Sequence, residues 1–589
     1  MTERRIRQRQ IEKQNLLDVS CHWAYYLDQL FSGENGFYLG VYPMETYQKQ
    51  KIIAICIFLG AFLLSGCQET QRSSTLPEPG ESIDINTTIG SIAEVYSPEF
   101  MPVEGYGIVG GLKGTGSSEC PVWLRDYFSQ YILKQLLSQA LDVEKFLNSN
   151  NTAVVSVQGM MPLGVEKGEY FDIAVSALAG TQTTSLEGGW LYNAELRAQG
   201  DTSLSSEQLA KASGPIFIDT IDPPQSDKTF GYVLAGGTSL QGAKISIALH
   251  RPDYRMSSLI RNKLIERFGK ESVNAVSPSI VELEVPEQYG SQKQRFVSIV
   301  RSIYLSELPQ MAEQRIRTLI KKLAALEDAE ASEIGLETIG KDSLGSLAGL
   351  LHSASEEVRL RCARCMLNLD SDEGLDMLRE IAMDKNSPLR VEALETITAS
   401  AERNDAMAVS RKLLRARDFA TRLIAYEQLR KLDDISIMQE LIARNFFLEQ
   451  VAGTKQKAIY VSRSGQPRIV LFGAPLFCYD NIFIRTNDGN IAIDAPAGQQ
   501  YVSIIYKNPQ KPNAAPIQLK SSFKLTDIIK ALCAEPIKQT EESDVGLSVS
   551  YAEMIGFLKQ MSEKGAIKGL GGGDFLAGPI PQLVPIVKK

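Results

Sequence analysis

Thirteen residues, Glu104–Gly116 (EGYGIVGGLKGTG), hold six glycines beside Tyr106, Ile108, Val109 and Leu112. Glycine is used where the chain takes positive φ or where another backbone must come close, and it weakens any helix it interrupts. The stretch therefore constrains backbone geometry first and side-chain chemistry second. Gly105, Gly107 and Gly110 spell G-x-G-x-x-G, the spacing of a dinucleotide fingerprint. That motif carries chemistry only when it opens a helix whose N-terminus receives the pyrophosphate. Here Gly111, Leu112, Lys113, Gly114, Thr115 and Gly116 come next, so no helix can begin where the phosphate would sit. The residues predict instead a strand, kink, strand hairpin, with Gly105, Gly107, Gly110, Gly111, Gly114 and Gly116 as its structural glycines.

The stretch resembles the signature of bacterial flagellar P-ring proteins, which form a ring around the rod of the flagellar motor. The resemblance continues in order through Asn151–Gly168 (NTAVVSVQGMMPLGVEKG), Phe171–Ser176 (FDIAVS) and Ser185–Gly189 (SLEGG). It then runs through Gly242-Ala243, Arg251–Tyr254 (RPDY) with the helix to Phe268-Gly269, and Val281–Pro286. There are departures. Met161-Pro162 stands where the family has a Pro-Pro pair, and Ala179-Gly180-Thr181 replaces a Gly-Asp-Ala. Taken together the motifs span roughly residues 84–305. They imply a structural, non-enzymatic subunit of a homo-oligomeric ring that meets flagellar rod and L-ring proteins and needs no cofactor.

The 589 residues are 44% hydrophobic and 22% charged, the balance of folded globular protein. A formal net charge of −8 and the lack of a clustered basic face argue against nucleic acid as a partner. Three histidines, His22, His250 and His352, share no metal-ligand spacing with the eight cysteines, so no metal site is expected. Pairing among Cys120, Cys478 and Cys533 stays open. His250, between Leu249 and Arg251-Pro252, reads as a packed or rim histidine, because no base, nucleophile and orienting acid gather around it in the sequence. The acids are scattered without a paired constellation, which makes a hydrolase the weakest of the functional classes.

Residues 1–43 read as an over-called N-terminal extension. Met44 starts a better one: Lys49 and Lys51 precede the apolar run Ile52–Leu64, which has signal-peptide length. The run ends Leu64-Ser65-Gly66-Cys67. This looks like a lipobox, at which a bacterial signal peptidase cuts before a cysteine that is then diacylated. Residues 44–66 are thus expected to be a lipoprotein signal, Cys67 the lipidated residue, and 67–82 a polar tether. Gln68 rather than Asp after the cysteine favours the outer membrane, facing the periplasm, by analogy with other lipoproteins.

Beyond about Ser306 the texture becomes helical. Val358-Arg359, Leu389-Arg390 and Thr421-Arg422 head three similar segments, and a fixed period of apolar positions signals stacked helical hairpins resembling short HEAT-like repeats. Arg359, Arg390 and Arg422 read as braces between helices more readily than as partner-binding residues. Gly335–Asp342 (GLETIGKD) nearly fits a phosphate loop, but Asp342 replaces the hydroxyl that would hold magnesium. Cys362 and Cys365 form C-x-x-C with no second pair, and read as small core residues. Strand patterns return past Gln450, and Tyr551–Lys564 reads as an amphipathic helix closed by Gly565.

The expectation is an α+β protein: a P-ring-like α+β region at 83–305, an all-α helical-repeat segment at 306–450, a β-rich C-terminal domain at 451–568, and a Gly/Pro-rich tail at 569–589, extended or mobile. The functional expectation is a lipid-anchored P-ring subunit of the flagellar basal body. Its competitor is a periplasmic lipoprotein scaffold outside the flagellum that uses the helical repeats to hold a protein partner.

Overall fold

The computed structural model describes residues 87–581 except 98–99, 136–142, 163–166, 201–205, 222–224, 226, 241–243, 287–288, 291, 307–308, 487–488, 508–514 and 536–545. The expected extension, signal peptide and tether, with Cys67, lie outside the described residues. The described residues begin with a short helix, α1 (Ile89–Ile92), and strand β1 (Ala93–Tyr96). It then leaves this unit for about 150 residues.

That excursion is a barrel. Strands β2 (Phe100–Gly110), then helices α2 (Val122–Gln135) and α3 (Val143–Leu147), precede β3 (Thr152–Pro162), β4 (Tyr170–Ala177), β5 (Trp190–Ala198), β6 (Ala210–Pro215) and β7 (Phe230–Ser239). The six strands close in the order β2-β3-β4-β7-β6-β5, and every pairing is antiparallel. Alternation along each strand sends Val155, Val157, Ile173, Val175, Leu191 and Leu196 into one buried cluster. The opposite side of β2 and β3 is covered by α2 and α3, where Leu124, Phe128 and Leu147 pack on Ile108 and Val154.

The chain returns to the first unit at β8 (Ile245–Leu249), which pairs antiparallel with β1, Ala93 opposite Leu249. Helix α4 (Tyr254–Phe268), β9 (Val273–Ala275), β10 (Ile280–Leu283) and α5 (Lys293–Ser302) complete a four-stranded sheet of order β1-β8-β10-β9 with helices packed on it. The RPDY sequence explains where α4 starts. The Asp253 carboxylate accepts from the Arg255 and Met256 N–H groups, and Gly269, at φ 93°, ends the helix. Ile260, Leu264, Phe296 and Val300 then bury against Ile247 and Val281.

From Pro309 the chain is helical: α6 (Pro309–Ala324), α7 (Ala329–Ile339), α8 (Leu344–Ala348), α9 (Glu356–Asn368), α10 (Asp372–Met383), α11 (Arg390–Ser400), α12 (Arg403–Leu413) and α13 (Phe419–Lys431). Helices α7, α9, α11 and α13 neighbour one another in sequence of turns, while α10 and α12 form part of a second layer. Each recurring arginine bonds carbonyls: Arg359 to Ser353 O at 2.8 Å, Arg390 to Ala382 O at 3.0 Å, and Arg422 to Gln456 O at 3.0 Å. The residues Gly335–Asp342 run out of α7 through its C-terminus and into a single 3-10 turn, so no strand-loop-helix phosphate cradle exists there.

The helices stop at Lys431, short of the boundary at 450 that the sequence suggested. Residues Ile437–Ile442 (β11) and Phe446–Val451 (β12) are an antiparallel hairpin. Asn445 N–H bonds to Ile442 O across a turn whose central residues, Ala443 and Arg444, have φ 47° and 53°. Such a turn usually announces itself with Asn-Gly or Asp-Gly, which is absent here. Strand β11 is also buried only at its two ends, so its sequence lacks the alternation that marks a strand.

These strands join β13 (Ala458–Val461) and β14 (Arg468–Phe472), and later β19, in a sheet of order β11-β12-β14-β13-β19. A second sheet holds β15 (Ile482–Arg485), β16 (Ile491–Ala495), β17 (Val502–Tyr506) and β18 (Ile517–Ser521), followed by α14 (Leu525–Cys533) and α15 (Tyr551–Glu563). Ser550 and Glu553 form a capping box at the start of α15. Strand β19 (Phe575–Ala577) lies within the Gly/Pro-rich tail and pairs parallel with β13. That part of the tail is a sheet element rather than a free end, because three residues gain ladder hydrogen bonds from an otherwise open edge. The first sheet is buried on both faces: Ile459, Val461, Ile469 and Leu471 pack in one cluster with α15, and Tyr460, Val470 and Phe472 in another with α13.

One buried ionic cluster ties α5 to the helical stack. Glu333 on α7 is 0% exposed and takes Arg364 of α9 in a two-pronged contact at 2.6 and 2.7 Å, Arg295 of α5 at 2.7 Å, and Arg361 at 3.2 Å. Arg267 of α4 also donates to the Glu337 carbonyl at 3.0 Å. Burial alone would push the Glu333 carboxyl up; the Arg364 hydrogen bonds and the charges of Arg295 and Arg364 outweigh it and hold the pKa below the ordinary value. Because the folded pKa is lowered, this group stabilises the fold above its unfolded pKa of 4.5, and the contribution is lost as pH falls below that value. Glu333→Ala leaves three arginines facing a vacant acceptor, and urea denaturation should show a loss of roughly 3–5 kcal/mol. The urea midpoint of the Glu333→Ala protein should fall less than that of the wild type as pH is lowered from 5 to 3, the other carboxylates keeping their own share of the acid sensitivity. Removing 306–450 should unfold the rest of the chain rather than spare it, since the cut takes away β11, β12 and every partner of Arg295; circular dichroism of the deletion checks this.

Candidate functional site: the glycine-rich barrel seam

Strand β2 closes the barrel by pairing with β3 on one side and β5 on the other. Its register against β5 shifts between Glu104 and Val109, where the two strands press together. The three glycines of the G-x-G-x-x-G spacing lie in this press. A Cβ at Gly105 would stand 2.2 Å from the Glu195 carbonyl oxygen, at Gly107 2.8 Å from Leu191 Cδ1, and at Gly110 2.6 Å from Tyr192 Cε2. All three are there because a neighbouring strand occupies the space of a side chain. None faces a phosphate, and a nucleotide has no cradle at this place.

After Gly110 the chain turns rather than forming the expected hairpin. The partner of β2 is β3, which begins 36 residues after Gly116 at Thr152, and Val122 opens α2. Gly111 and Gly114 have φ 83° and 92°, and Lys113 has φ 48°. Here the requirement is positive φ, for at Gly114 no atom stands within 4 Å of an added Cβ. Gly116 returns to the steric case, with Thr152 O only 2.1 Å from a Cβ. The turn is fixed from inside by Leu112, which is 1% exposed, and by the Thr115 hydroxyl, which lies 2.7 Å from Leu112 O and 2.8 Å from Ser185 O.

Ser185 belongs to the SLEGG motif, and the two motifs lock together. Thr184 N–H donates to Thr115 O at 2.9 Å, and a Cβ on Gly189 would meet Val109 Cγ1 at 2.5 Å and Leu112 Cδ2 at 2.7 Å. Glu187 holds an exposed ion pair with Lys228 at 2.6 Å. The FDIAVS motif does a related task on the far strand pair. The register of β4 on β7 breaks between Phe171 and Ile173, and the Asp172 carboxylate accepts from Ala235 N–H of the resulting bulge at 2.7 Å. The same carboxylate accepts from Gly465 N–H at 2.9 Å, in the β13–β14 hairpin. Burial pushes the Asp172 carboxyl up, against the pull of those two N–H groups.

Several of these contacts have no signal in the sequence. Asp219 pairs with Arg463 at 2.9 Å, and the Thr220 hydroxyl donates to Ala552 O at 2.8 Å, so the barrel is bound to the C-terminal strands and α15 by polar groups far apart in the chain. Among the described residues no group of three or more His, Cys, Asp or Glu could hold a metal ion. Cys120, Cys362, Cys365, Cys478 and Cys533 are free. Cys362 and Cys365 are fully buried, and burial raises the Cys362 thiol to about 12. The arrangement at the seam offers shape and rigidity, with no nucleophile or acid–base pair assembled in it.

Substitutions separate the two reasons for glycine. Gly107→Val should cost roughly 1–3 kcal/mol by overpacking the seam, and Gly114→Val a similar amount by backbone strain. Gly114→Asn should recover much of the loss, because asparagine tolerates positive φ, whereas no residue with a side chain should rescue Gly105. Thermal melts of these three variants and of Gly105→Ala check this, and isothermal titration of the wild type with nucleotides should show no heat of binding.

Residues 88–316 match the protein family described as Flagellar P-ring protein. The span covers the first α/β unit, the barrel and the start of α6. Relatives bearing the name "Flagellar P-ring protein" include one from Thermotoga maritima, 27% identical over 237 residues, covering 38% of this chain and 68% of the relative. One from Anaeromyxobacter dehalogenans is 28% identical over 250 residues, 40% of this chain and 63% of the relative. One from Leptospira interrogans is 26% identical over 280 residues, 43% of this chain and 70% of the relative. The helical stack past α6 and the strands after it lie outside the family match. Over residues 88–316, which hold the glycine seam and the SLEGG lock, the chain is similar to the flagellar P-ring proteins.

Proposed function

We propose that this chain is a structural subunit of a P ring in the flagellar basal body, assembled from copies of itself in the periplasm around the motor rod. The observation that carries the reading is that the family match coincides with a continuous piece of architecture, the barrel together with the α/β unit into which it is inserted. A ring around a rotating rod must resist deformation. A closed barrel without open edges, clamped where β2 meets β5, supplies a rigid block of that kind. In this reading the chain acts mechanically, and the partners are neighbouring subunits with rod and L-ring proteins. The helical stack gives each subunit an added surface, braced internally by Arg359, Arg390 and Arg422, on which a further protein could be held.

The proposed anchor is Cys67, diacylated after removal of 44–66 and inserted in the outer membrane. Support comes from the run Ile52–Gly66 directly before the cysteine. Several acyl chains hold a protein on a membrane where one would not. Mass spectrometry of the protein purified from its own cells should find a lipidated N-terminus at Cys67, and Cys67→Ser should abolish labelling by radioactive palmitate. An unmodified chain starting elsewhere would remove the anchor from the proposal while leaving the ring. For the ring itself, cells lacking the gene should be non-motile, and their basal bodies should lack the periplasmic ring density in electron tomograms. The Gly107→Val protein should fail to restore either.

A further inference from the structure

A cleft of about 840 Å³ lies between the helical stack and the α/β unit. The stack contributes Thr396 of α11 and Gln428 and Lys431 of α13 to its lining, and the first turn of α5 contributes Lys293 and Arg295. Phe100 and Pro162, paired where β2 starts and β3 ends, bring the barrel to its edge. Hollows that run along successive repeats are where stacked helical hairpins hold extended partners.

One polar side chain in the lining is left over. Cys365, Thr396 and Gln428 each stand six residues after the recurring arginine of their repeat. In the first two repeats the polar atom is satisfied inside the stack: the Cys365 thiol donates to Glu333 O at 3.8 Å, and the Thr396 hydroxyl to Glu392 O at 2.8 Å. Gln428 is 8% exposed, and its amide has no hydrogen-bond partner among the described residues. A buried amide without a partner costs stability, and its N–H and C=O groups match the acceptor and donor of a peptide main chain. The charges around it divide in a similar way. Arg295 and Arg364 are taken up by Glu333, and Arg364 also by Glu392 at 2.7 Å. Among the described residues Lys293 and Lys431 have no carboxylate within ion-pair distance, against Glu395 as the one unpaired acid in the lining. The first turn of α5 holds no acidic residue, and the N-cap side chain, Gln292, caps no N–H and donates instead to Ser400 Oγ at 2.7 Å. The first N–H groups of α5 therefore have no partner within the helix, and they carry beside the cleft the partial positive charge that favours a carboxylate.

We propose that this cleft docks an extended, acidic segment of a partner protein, its main chain bonded to the Gln428 amide and its carboxylates held by Lys293, Lys431 and the N-terminus of α5. An extended segment suits the place because Lys293 on α5 and Lys431 on α13 belong to different walls, so one ligand must span the cleft to meet both. A main chain offers an amide at every residue and so reaches Gln428 whatever its side chains, while the two lysines select acidic ones. The site gives a location and a chemistry to the surface that the helical stack adds to each subunit. It rests on that part of the proposed function and not on the ring, which motility and ring density test separately.

The probe is a phage-displayed library of random nine-residue peptides, panned on the full-length protein. Recovered sequences should be enriched in Asp and Glu. The strongest, synthesised with a fluorescein label, should bind with an affinity that falls as salt rises, read by fluorescence anisotropy. Gln428→Leu, Lys293→Glu and Lys431→Glu should each weaken binding about tenfold or more, while Lys520→Glu, on β18, should leave it unchanged. Gln428→Leu should also melt no lower than the wild type, because the amide bonds nothing in the free protein, and circular dichroism identical to wild type certifies the fold of each variant. A panning that enriches no acidic sequence overturns the proposal, as does a peptide that binds all three cleft variants as it binds the wild type. A lower melting temperature for Gln428→Leu would give the amide an internal role and overturn it too. Equal weakening by Lys520→Glu would reduce the effect to net charge, with the same consequence.

Discussion

The close approach of β2 to β5 is the contact on which the described fold depends. A six-stranded sheet becomes a barrel only if its first and last strands can pair, and here the closing pair passes through a register shift with side chains packed on both sides. Gly105 and Gly107 make room for the Glu195 carbonyl and the Leu191 side chain. Without that room the seam would open two strand edges and strand the Val109, Leu191 and Leu196 side chains that share its core. The motif that looks most like a nucleotide site in sequence is thus a closure device.

Two further constraints make the remaining parts one structure. The barrel is inserted between β1 and β8, so the α/β unit forms only when chain segments on either side of the barrel meet. The helical stack is joined to that unit through Glu333, a carboxylate with no exposure surrounded by arginines from α5 and α9. A buried charge of this sort adds little net stability over an apolar packing, but is costly to unpair, so it specifies which helix faces α5. Farther along, β11 and β12 belong to the sheet that α13 and α15 cover from opposite faces. The helical segment therefore shares a core with strands beyond it and is not a bead threaded on the chain.

Residues that serve neighbours in sequence were legible. The RPDY start of α4 could be read because Asp253 caps a helix two and three residues away, and Tyr551–Lys564 because its apolar positions and its closing Gly565 are local. The strands Ala458–Val461 and Arg468–Phe472 were legible as short continuous apolar runs, the mark of a sheet buried on both faces. By contrast the β11–β12 hairpin was hidden, because its turn uses Ala443 and Arg444 at positive φ in place of glycine or asparagine. Strand β19 was hidden in a glycine- and proline-rich run, since three residues pair with a strand more than a hundred positions earlier.

The sequence by itself determined that glycine was required at Gly105–Gly116, that the chain mixes sheet and helix, and that its first half carries the P-ring pattern. It did so because composition and short spacings act through bonds a few residues long. Which requirement each glycine meets was decided only by the tertiary structure. Gly111 and Gly114 serve positive φ, while Gly105, Gly107, Gly110 and Gly116 serve space taken by atoms from distant strands. The pairing of Glu333 with Arg295 and of Asp172 with Gly465 was decided there as well. Such contacts join groups 38 and 293 residues apart, and no local pattern encodes a partner that only folding brings near.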